Sequence, residues 1–282
     1  MAEVFGFDCY APKEIAERVE NVGVTKANLP LLSQVALGVL AGGFIGLGAM
    51  FFTLVVSDAS LGFALARVLG GVAFSLGLIL VVVAGAELFT GNNLLVMATV
   101  AGRIPASRFL QNMVVIYVAN LIGALGLAGL VALSGHWQMN GSAVGNAALK
   151  IAAAKCALAW GEAFFKGVLC NVLVCLAVWL AMAGRTVTDK VLAIVFPIAA
   201  FVACGFEHSV ANMYFIPLGI FLREPGAASA EYLEALNWFG LARNLLPVTL
   251  GNLVGGAGMV GLVYWVIYRR GAAGTSATSL PK

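Results

Sequence analysis

The chain has 282 residues, of which 61% are hydrophobic and only 10% are charged. Because soluble domains carry about a quarter charged residues, this composition excludes an ordinary soluble protein and indicates an integral protein of the lipid bilayer. A net charge of +3 is too small to indicate a nucleic-acid partner. The five cysteines form no C-x-x-C pair. They are interpreted as small core hydrophobes, so no disulfide, metal site or cofactor is predicted.

The N-terminal segment 1–30 is predicted to be cytoplasmic and to contain an interfacial helix. Ile15, Val19 and Val22 fall on one face of PKEIAERVENVG. The segment has no basic stretch followed by an apolar core, so no signal peptide is predicted. The first membrane span is therefore expected to act as its own targeting signal.

Six apolar stretches follow, and each is long enough for the roughly 20 residues that cross a bilayer. The predicted spans are Leu31–Val56, Val68–Ala101, Phe109–Ser134, Trp160–Ala183, Val191–Leu222 and Asn244–Tyr268. Their hydrophobicity does not alternate, which favours helices over a β-barrel. The second and fifth are too long for simple spans, and each contains a polar interruption, GAELFTGNN or GFEHSVANM. The predicted fold is an all-α membrane domain over 31–268, followed by a cytoplasmic tail over 269–282.

Six spans place both termini on one side of the membrane. Ten of the 16 basic residues lie on that side, and the short connections AGRIPASR and AGRTVTDK show the bias most clearly. Because basic loops are retained in the cytoplasm, both termini are predicted to be cytoplasmic.

The two halves of the domain repeat one another. Both interruptions have the same residues at the same spacing: Gly85, Glu87 and Asn92 in the first, and Gly205, Glu207 and Asn212 in the second. GVLAG at Gly38 corresponds to GVLCN at Gly167, and NLIGA at Asn120 corresponds to NLVGG at Asn252. The three matches occur in the same order in both halves, which indicates a duplication.

Three spans in each half require the second copy to be inserted upside down. The sequence therefore predicts an inverted repeat of 31–134 and 160–268, joined by a periplasmic connection over 135–159. In such folds the broken helices meet near the bilayer midplane, where they line a solute path.

His208 is the only histidine within a predicted span. An ionisable residue inside the membrane is costly and is by default a functional candidate. The alternative is a neutral imidazole held in a packed core by two hydrogen bonds, but its position in a helix break favours function. A charged solute entering an apolar constriction would lose its hydration at a cost of many kcal/mol. An imidazole, with an ordinary pKa of about 6.5, offers it a hydrogen bond or a shared proton.

Four segments of the chain resemble the formate–nitrite transporter family: GAELFTGN, LCNVLVCLAVWLA, FVACGFEHSVANM and PVTLGNLVGG. The likeness extends from about Lys26 to Tyr268. It implies a homopentamer of aquaporin-like six-helix protomers, each with its own pore, in the bacterial inner membrane. It also implies transport of a small monovalent anion such as formate, nitrite or hydrosulfide. NMYFIPLGIF looks more like formate carriers, so formate is preferred.

The resemblance also implies roles for individual residues. His208 matches the family's central pore histidine. Thr90, in the other break, is expected to be the hydroxyl partner that faces His208, and it matches a threonine on a mobile loop beside the pore; a helix cap is the alternative for Thr90. The matches to the periplasmic constriction are Phe74, Leu78 and Phe201. The matches to the cytoplasmic constriction are Leu88, Phe89 and Val174. Lys155 matches a lysine of the outer vestibule, where positive charge would concentrate anions, and its alternative is an ordinary interfacial lysine.

Other polar residues of the breaks have two interpretations. Asn171 and Asn212 either bond the substrate or tie unwound backbone, and the structural role is slightly favoured. Glu87 and Glu207 are interpreted as parts of the scaffold of the breaks, with Gly85 and Gly205, because a negative charge lining an anion pore would repel its cargo.

Three other classes of protein are weighed against an anion channel. An aquaporin-like neutral-solute channel needs paired Asn-Pro-Ala motifs, which this chain lacks. A haem-binding redox subunit needs two axial ligands on facing helices. An intramembrane hydrolase would have to use Glu207, His208 and Ser209, which are adjacent and do not face one another on a helix. No catalytic residue is therefore predicted.

Overall fold

A computed structural model describes residues 9–223 and 233–270, and this part of the chain is helical with no strand. This described part contains twelve α-helices, in the order α1 Pro12–Ala27, α2 Leu31–Val56, α3 Phe63–Val83, α4 Phe89–Asn92, α5 Val96–Val100, α6 Ala106–Leu133, α7 Ala143–Cys156, α8 Trp160–Ala183, α9 Val187–Ala203, α10 Ser209–Leu222, α11 Trp238–Leu253 and α12 Val263–Tyr268. A π-helical stretch, Val254–Leu262, joins the last two. All but the first two residues of the predicted tail lie outside the described residues.

Within the described residues, five helices are long and apolar enough to cross a membrane. They are α2, α3, α6, α8 and the continuous helix Trp238–Tyr268. The predicted fifth span instead comprises α9, of 17 residues, and α10, of 14 residues, separated by a non-helical stretch. The long apolar helices identify a membrane protein.

The amphipathic helix α1 packs on the bundle rather than standing apart from it. Ile15 and Val19 are each 4% exposed on its inner face. Glu20 is 1% exposed and accepts hydrogen bonds from Nε and Nη2 of Arg269, both at 3.1 Å. This two-bond pair ties α1 to the end of α12, and it brings Lys26, in the last turn of α1, against the interior of the bundle.

Glycines allow two pairs of spanning helices to approach closely. A Cβ at Gly42 of α2 or at Gly123 of α6 would collide with backbone of the partner helix. Gly167 of α8 and Gly251 of α11 meet in the same way. Small residues at such contacts allow backbones to come together in a membrane. These two contacts place α6 and α11 beside the helix breaks.

Candidate functional site

Two non-helical stretches, 84–88 and 204–208, lie at the two predicted interruptions. Gly85 has φ 81° and Gly205 has φ 73°, left-handed values that favour glycine and end α3 and α9. In each stretch the residue after the glycine donates its N–H to the carbonyl five residues earlier, at 2.9 and 3.0 Å. Both breaks therefore use the same local geometry.

One asparagine from a neighbouring helix fastens each break. In α6, Asn120 Nδ2 donates to the carbonyls of Gly38 and Glu87, at 2.8 and 2.9 Å, and its Oδ1 accepts the Phe89 N–H at 2.9 Å. The corresponding bonds join Asn252 to Gly167, Glu207 and Ser209, at 2.8, 3.0 and 3.0 Å. Unwound backbone is thus satisfied without water, as burial in a membrane protein requires.

Each break also carries a buried carboxylate that is paired with a lysine and an asparagine. Glu87 lies 3.1 Å from Lys26 Nζ and accepts from Asn92 Nδ2 at 2.7 Å. The second break repeats the arrangement with Glu207, Lys155 Nζ at 2.8 Å and Asn212 Nδ2 at 2.6 Å. The two carboxylates are 4% and 5% exposed, so both negative charges are compensated by scaffold contacts.

The sequence reasoning did not single out three members of these networks, Lys26, Asn112 and Asn244. Asn92 Nδ2 donates to Asn112 Oδ1 at 3.0 Å, and Asn212 Nδ2 donates to Asn244 Oδ1 at 2.7 Å.

A signal for these three residues was present in the repeat. Lys26 precedes the GVLAG motif by the same interval as Lys155 precedes the GVLCN motif. Asn112 likewise precedes NLIGA by the same interval as Asn244 precedes NLVGG. Extending the matched motifs towards the N-terminus would therefore have paired both lysines and both asparagines.

His208 and Thr90 meet between the two breaks. His208 Nε2 lies 2.9 Å from Thr90 Oγ1, and the two residues are 2% and 0% exposed. His208 is also the N-cap of α10, where its Nδ1 accepts the Ala211 N–H at 3.0 Å. Since Nδ1 is an acceptor, the geometry assigns the ring proton to Nε2. The imidazole therefore offers its one N–H towards Thr90.

The carbonyl of Thr90 is held from α8. Asn171 Nδ2 donates to that carbonyl at 3.3 Å and to the Asn252 carbonyl at 2.7 Å. Cys175 Sγ lies 3.4 Å from the Thr90 carbonyl. Asn171 Oδ1 has no hydrogen-bond partner among the described residues, but an oxygen acceptor has nothing to donate to an anion. Asn171 and Asn212 thus both contact the scaffold, the alternative that the sequence slightly favours.

Two separate cavities lead towards this pair. The Lys155 vestibule has a volume of about 450 Å³, and its wall includes Arg67, Phe74, Lys155, Lys166, Phe201 and His208. The Lys26 vestibule has a volume of about 260 Å³, and its wall includes Val19, Lys26, Leu78, Glu87, Leu88 and Asn92. His208 faces the first cavity, so its ring does not point into sealed packing or lipid.

Aromatic rings narrow the Lys155 vestibule next to His208. The rings of Phe74 and Phe201 meet edge to face with centroids 5.7 Å apart. The Phe201 ring stacks on the His208 imidazole at 6.0 Å with an interplanar angle of 22°. Both phenylalanines are at most 3% exposed. Phe74 and Phe201 therefore make the inner end of the vestibule, where His208 lies, narrow and apolar.

The structure separates Leu78 from Phe74 and Phe201, with which the sequence grouped it. Leu78 lines the Lys26 vestibule, together with Leu88. It lies one turn after Phe74 in α3, and this turn moves it about 6 Å along the helix axis. The grouping of Leu78 with the two phenylalanines stays a prediction, and the structure shows only that Leu78 lines the other cavity.

Phe89 and Val174 lie deeper than the Lys26 vestibule, and neither contributes to its wall. They are 3% and 1% exposed. The Phe89 ring packs edge to face on Tyr117 with centroids 4.9 Å apart, and Tyr117 Oη lies 2.9 Å from Thr249 Oγ1. The phenyl ring is thus supported from both α6 and α11.

Comparison with known proteins places these features in a family. A family model described as formate/nitrite transporter matches residues 13–266. The chain is 41% identical over 276 residues to the formate channel FocA of Escherichia coli strain K12, covering 94% of this chain and 96% of that protein. It is 40% identical over 262 residues to FocA of Haemophilus influenzae, covering 89% and 92%.

Solved structures give the same relationship. A pentameric formate channel with formate bound has a TM-score of 0.77 and 37% identity, over 84% of this chain and 97% of that one. An FNT family ion channel has a TM-score of 0.78 and 33% identity, over 90% and 98%. Identity and coverage at this level, together with the family match, assign the chain to the formate/nitrite transporter family.

Proposed function

We propose that this protein is a channel for small monovalent anions of weak acids, with formate as its preferred cargo. The observation that carries the proposal is the contact between His208 Nε2 and Thr90 Oγ1, formed where two broken helices meet beside a vestibule. Relatives named formate channels support the choice of cargo. Nitrite and hydrosulfide are alternatives with the same charge and similar size. A channel for neutral solutes is a more distant alternative.

The proposed architecture is an aquaporin-like inverted repeat of six spans, with 31–134 and 160–268 as its halves and 135–159 as the connection. It is supported by the hydrogen-bond networks of the two breaks, whose members correspond one to one in the alignment of the halves. We place residues 1–30 and 269–282 in the cytoplasm and 135–159 in the periplasm, on the basis of the distribution of basic residues. The Lys155 vestibule then opens outward.

The proposed assembly is a homopentamer in the bacterial inner membrane, with one pore in each protomer. A pentameric solved relative supports it. Exposed leucine, valine and phenylalanine side chains on α3, α6 and α11 provide apolar surface for lipid and for neighbouring protomers.

In the proposed mechanism, His208 and Thr90 offset part of the free-energy cost of dehydrating the anion. An anion that passes Phe74 and Phe201 leaves water and loses hydration free energy. The anion then replaces the contact between His208 and Thr90. The Nε2–H of His208 and the hydroxyl of Thr90 bond to the anion instead and replace part of its hydration shell. Protonation of the anion removes most of the remaining cost, so flux is expected to be proton-coupled at acid pH and anionic at neutral pH.

The apolar residues on either side provide selectivity in this proposal. Phe74 and Phe201 form one barrier, and Leu88, Phe89 and Val174 form the other, with Leu78 moved to the second group. Apolar constrictions reject strongly hydrated ions, whereas a species that sheds its charge passes. No step of the mechanism makes or breaks a covalent bond in the cargo other than to a proton, and the protein is proposed to be a channel rather than an enzyme.

The test is flux in liposomes that contain the purified protein. Formate, nitrite, hydrosulfide, chloride and water are compared at about pH 5.5 and about pH 7.5, on either side of an ordinary imidazole pKa of about 6.5. A hydrogen bond to a charged group contributes about 1.5–3 kcal/mol, so His208→Phe is expected to lower formate flux roughly tenfold to a hundredfold. His136→Phe, at the other histidine, is the matched control and is expected to leave flux unchanged.

Each other outcome has a definite meaning. Unchanged formate flux in His208→Phe at both pH values would contradict the role of the imidazole. Nitrite or hydrosulfide flux above formate flux would select that cargo instead. Water flux above all anion fluxes would favour the neutral-solute channel.

A further inference from the structure

The Lys155 vestibule has three basic residues in its wall, and two of them are neutralised. Lys155 Nζ lies 2.8 Å from the buried Glu207 carboxylate. Lys166 Nζ lies 2.7 Å from the Glu162 carboxylate, one helical turn earlier in α8. The family resemblance predicts that Lys155 attracts anions, but the carboxylate of Glu207 compensates its charge at close range. The field of the cavity has to come from another group.

Arg67 is the third basic residue of this wall, and no carboxylate of the described residues pairs with it. It lies in the second turn of α3. Its Nε donates to the Ala203 carbonyl at 2.9 Å, and its Nη2 donates to the Val202 carbonyl at 2.8 Å. Both carbonyls belong to the end of α9, where a helix leaves acceptors without intrahelical partners. Two bonds to the carbonyls of a helix C-terminus fix the guanidinium, and the partial negative charge of that terminus offsets only part of its unit positive charge.

The guanidinium also retains donors for a ligand. Nη1 makes no hydrogen bond to the described residues, and arginine carries five N–H donors in a planar fork. Such a fork matches the two oxygens of a carboxylate better than the point charge of a lysine does. Arg67 is therefore a rigid, charged group with free donors in the wall of a cavity whose inner end is His208.

Among the described residues, the wall of the Lys26 vestibule has none that corresponds to Arg67. Lys26 is the only basic residue that the described part of the chain contributes to this wall, and its Nζ lies 3.1 Å from Glu87 Oε1. When the two breaks are aligned on Glu87 and Glu207, the position that corresponds to Arg67 is Val187. The hydrogen-bond networks of the two breaks match. Of the two described cavity walls, however, only that of the Lys155 vestibule has a basic residue without a carboxylate partner.

We propose that Arg67 is the first docking site for the carboxylate of the cargo, at the entrance of the Lys155 vestibule. The inference rests on the proposed function and goes beyond it, because it makes capture of the anion unequal on the two sides of the membrane. A charged group at the mouth of a low-dielectric cavity raises the local concentration of the opposite charge and the rate of entry. Entry through the Lys155 vestibule is then the salt-sensitive direction.

The experiment measures formate entry from each side separately, in right-side-out and inside-out membrane vesicles of a host without formate transporters of its own. In Arg67→Gln, the apparent KM for entry through the Lys155 vestibule is expected to rise roughly three- to tenfold at low salt. The KM for entry through the Lys26 vestibule and the maximum rate of entry through the Lys155 vestibule are expected to stay within about twofold of wild type. A passive channel has the same ratio of maximum rate to KM in both directions, so the maximum rate of entry through the Lys26 vestibule is expected to fall. Arg67→Lys keeps the charge but loses the fork, and its KM is expected to lie between those of the wild type and Arg67→Gln. Arg243→Gln removes an exposed basic residue of α11 outside both cavity walls and is the matched control.

Salt dependence of the wild type provides a test that requires no variant. The Debye length falls from about 30 Å at 0.01 M to about 3 Å at 1 M ionic strength. The KM is expected to rise with salt for the Lys155 side and to change little for the Lys26 side. Equal salt dependence on the two sides, or a KM in Arg67→Gln that is unchanged or raised equally from both sides, would overturn the proposal. Absence of formate flux in the wild type would instead contradict the proposed function.

Discussion

The pairing of Lys155 with Glu207 leads to a quantitative prediction about stability. Lys155→Met leaves Glu207, which is 5% exposed, as a buried charge without its cation. Breaking a buried ion pair from one side costs about 3–5 kcal/mol. Asn212 still donates to the carboxylate at 2.6 Å, so the lower end, about 3 kcal/mol, is expected.

The double variant separates the ion pair from the rest of the site. Lys155→Met with Glu207→Gln removes both charges and keeps an acceptor for Asn212, so the loss is expected to fall to about 1 kcal/mol. The difference between the two losses, about 2 kcal/mol, is the part of the Lys155→Met effect that the unpaired charge of Glu207 causes. Lys166→Met is the matched control, since its partner Glu162 has a side chain that is 50% exposed. That surface pair is expected to contribute about 0.5 kcal/mol or less.

Reversible unfolding in mixed micelles with increasing dodecyl sulfate gives the four free energies of unfolding. The reasoning would be refuted if the single and double variants lost the same free energy. That result would mean that solvent screens the two charges from each other in the vestibule. A loss in Lys166→Met as large as that in Lys155→Met would refute it as well.

Two further predictions concern the frame that holds the breaks. Asn252→Ala leaves the Ser209 N–H and the Glu207 carbonyl without their side-chain partner and removes a second bond to the helical Gly167 carbonyl, and it is expected to cost at least about 2 kcal/mol in the same unfolding measurement. Asn120→Ala is expected to cost a similar amount, and a loss at one position alone would contradict the energetic equivalence of the two networks. Gly123→Ala adds a Cβ that collides with the Val39 carbonyl of α2, so folded protein is expected to be lost on size-exclusion chromatography. Gly126→Ala lies on an open face of the same helix, and normal elution of both variants would disprove the close contact.

Helix bounds were predicted correctly where the apolar run and the helix begin and end at the same residues. The helices Leu31–Val56 and Trp160–Ala183 have the predicted bounds. The helix predicted from Val68 begins at Phe63, and the helix predicted from Asn244 begins at Trp238. Apolar runs stop at the first arginine, but helical backbone continues through it when the guanidinium reaches water or a carbonyl. Arg67 lies inside α3 for that reason.

Residue contacts were predicted only where local signals specify them. The pair of His208 and Thr90 followed from two polar interruptions at matching places in the repeat. Two hydrogen bonds to the imidazole were weighed as an alternative, but the identity of the second donor, the Ala211 N–H that bonds to Nδ1, was not predicted, because an N-cap role depends on where the helix restarts. Leu78 was grouped with Phe74 and Phe201, whereas it lines the other cavity, since a position in α3 does not by itself tell which cavity the side chain faces.

The sequence by itself determined that the protein lies in a membrane, where its helices break and which family it belongs to. These properties depend on hydrophobicity, glycine positions and motifs within a few residues of one another. Tertiary structure decided which charges compensate one another. Lys155 and Glu207 are 52 residues apart, and Arg67 lies 136 residues from Ala203. Electrostatic free energy depends on distances and burial that only packing sets, so only the folded chain shows that the lysine is neutralised and the arginine is not.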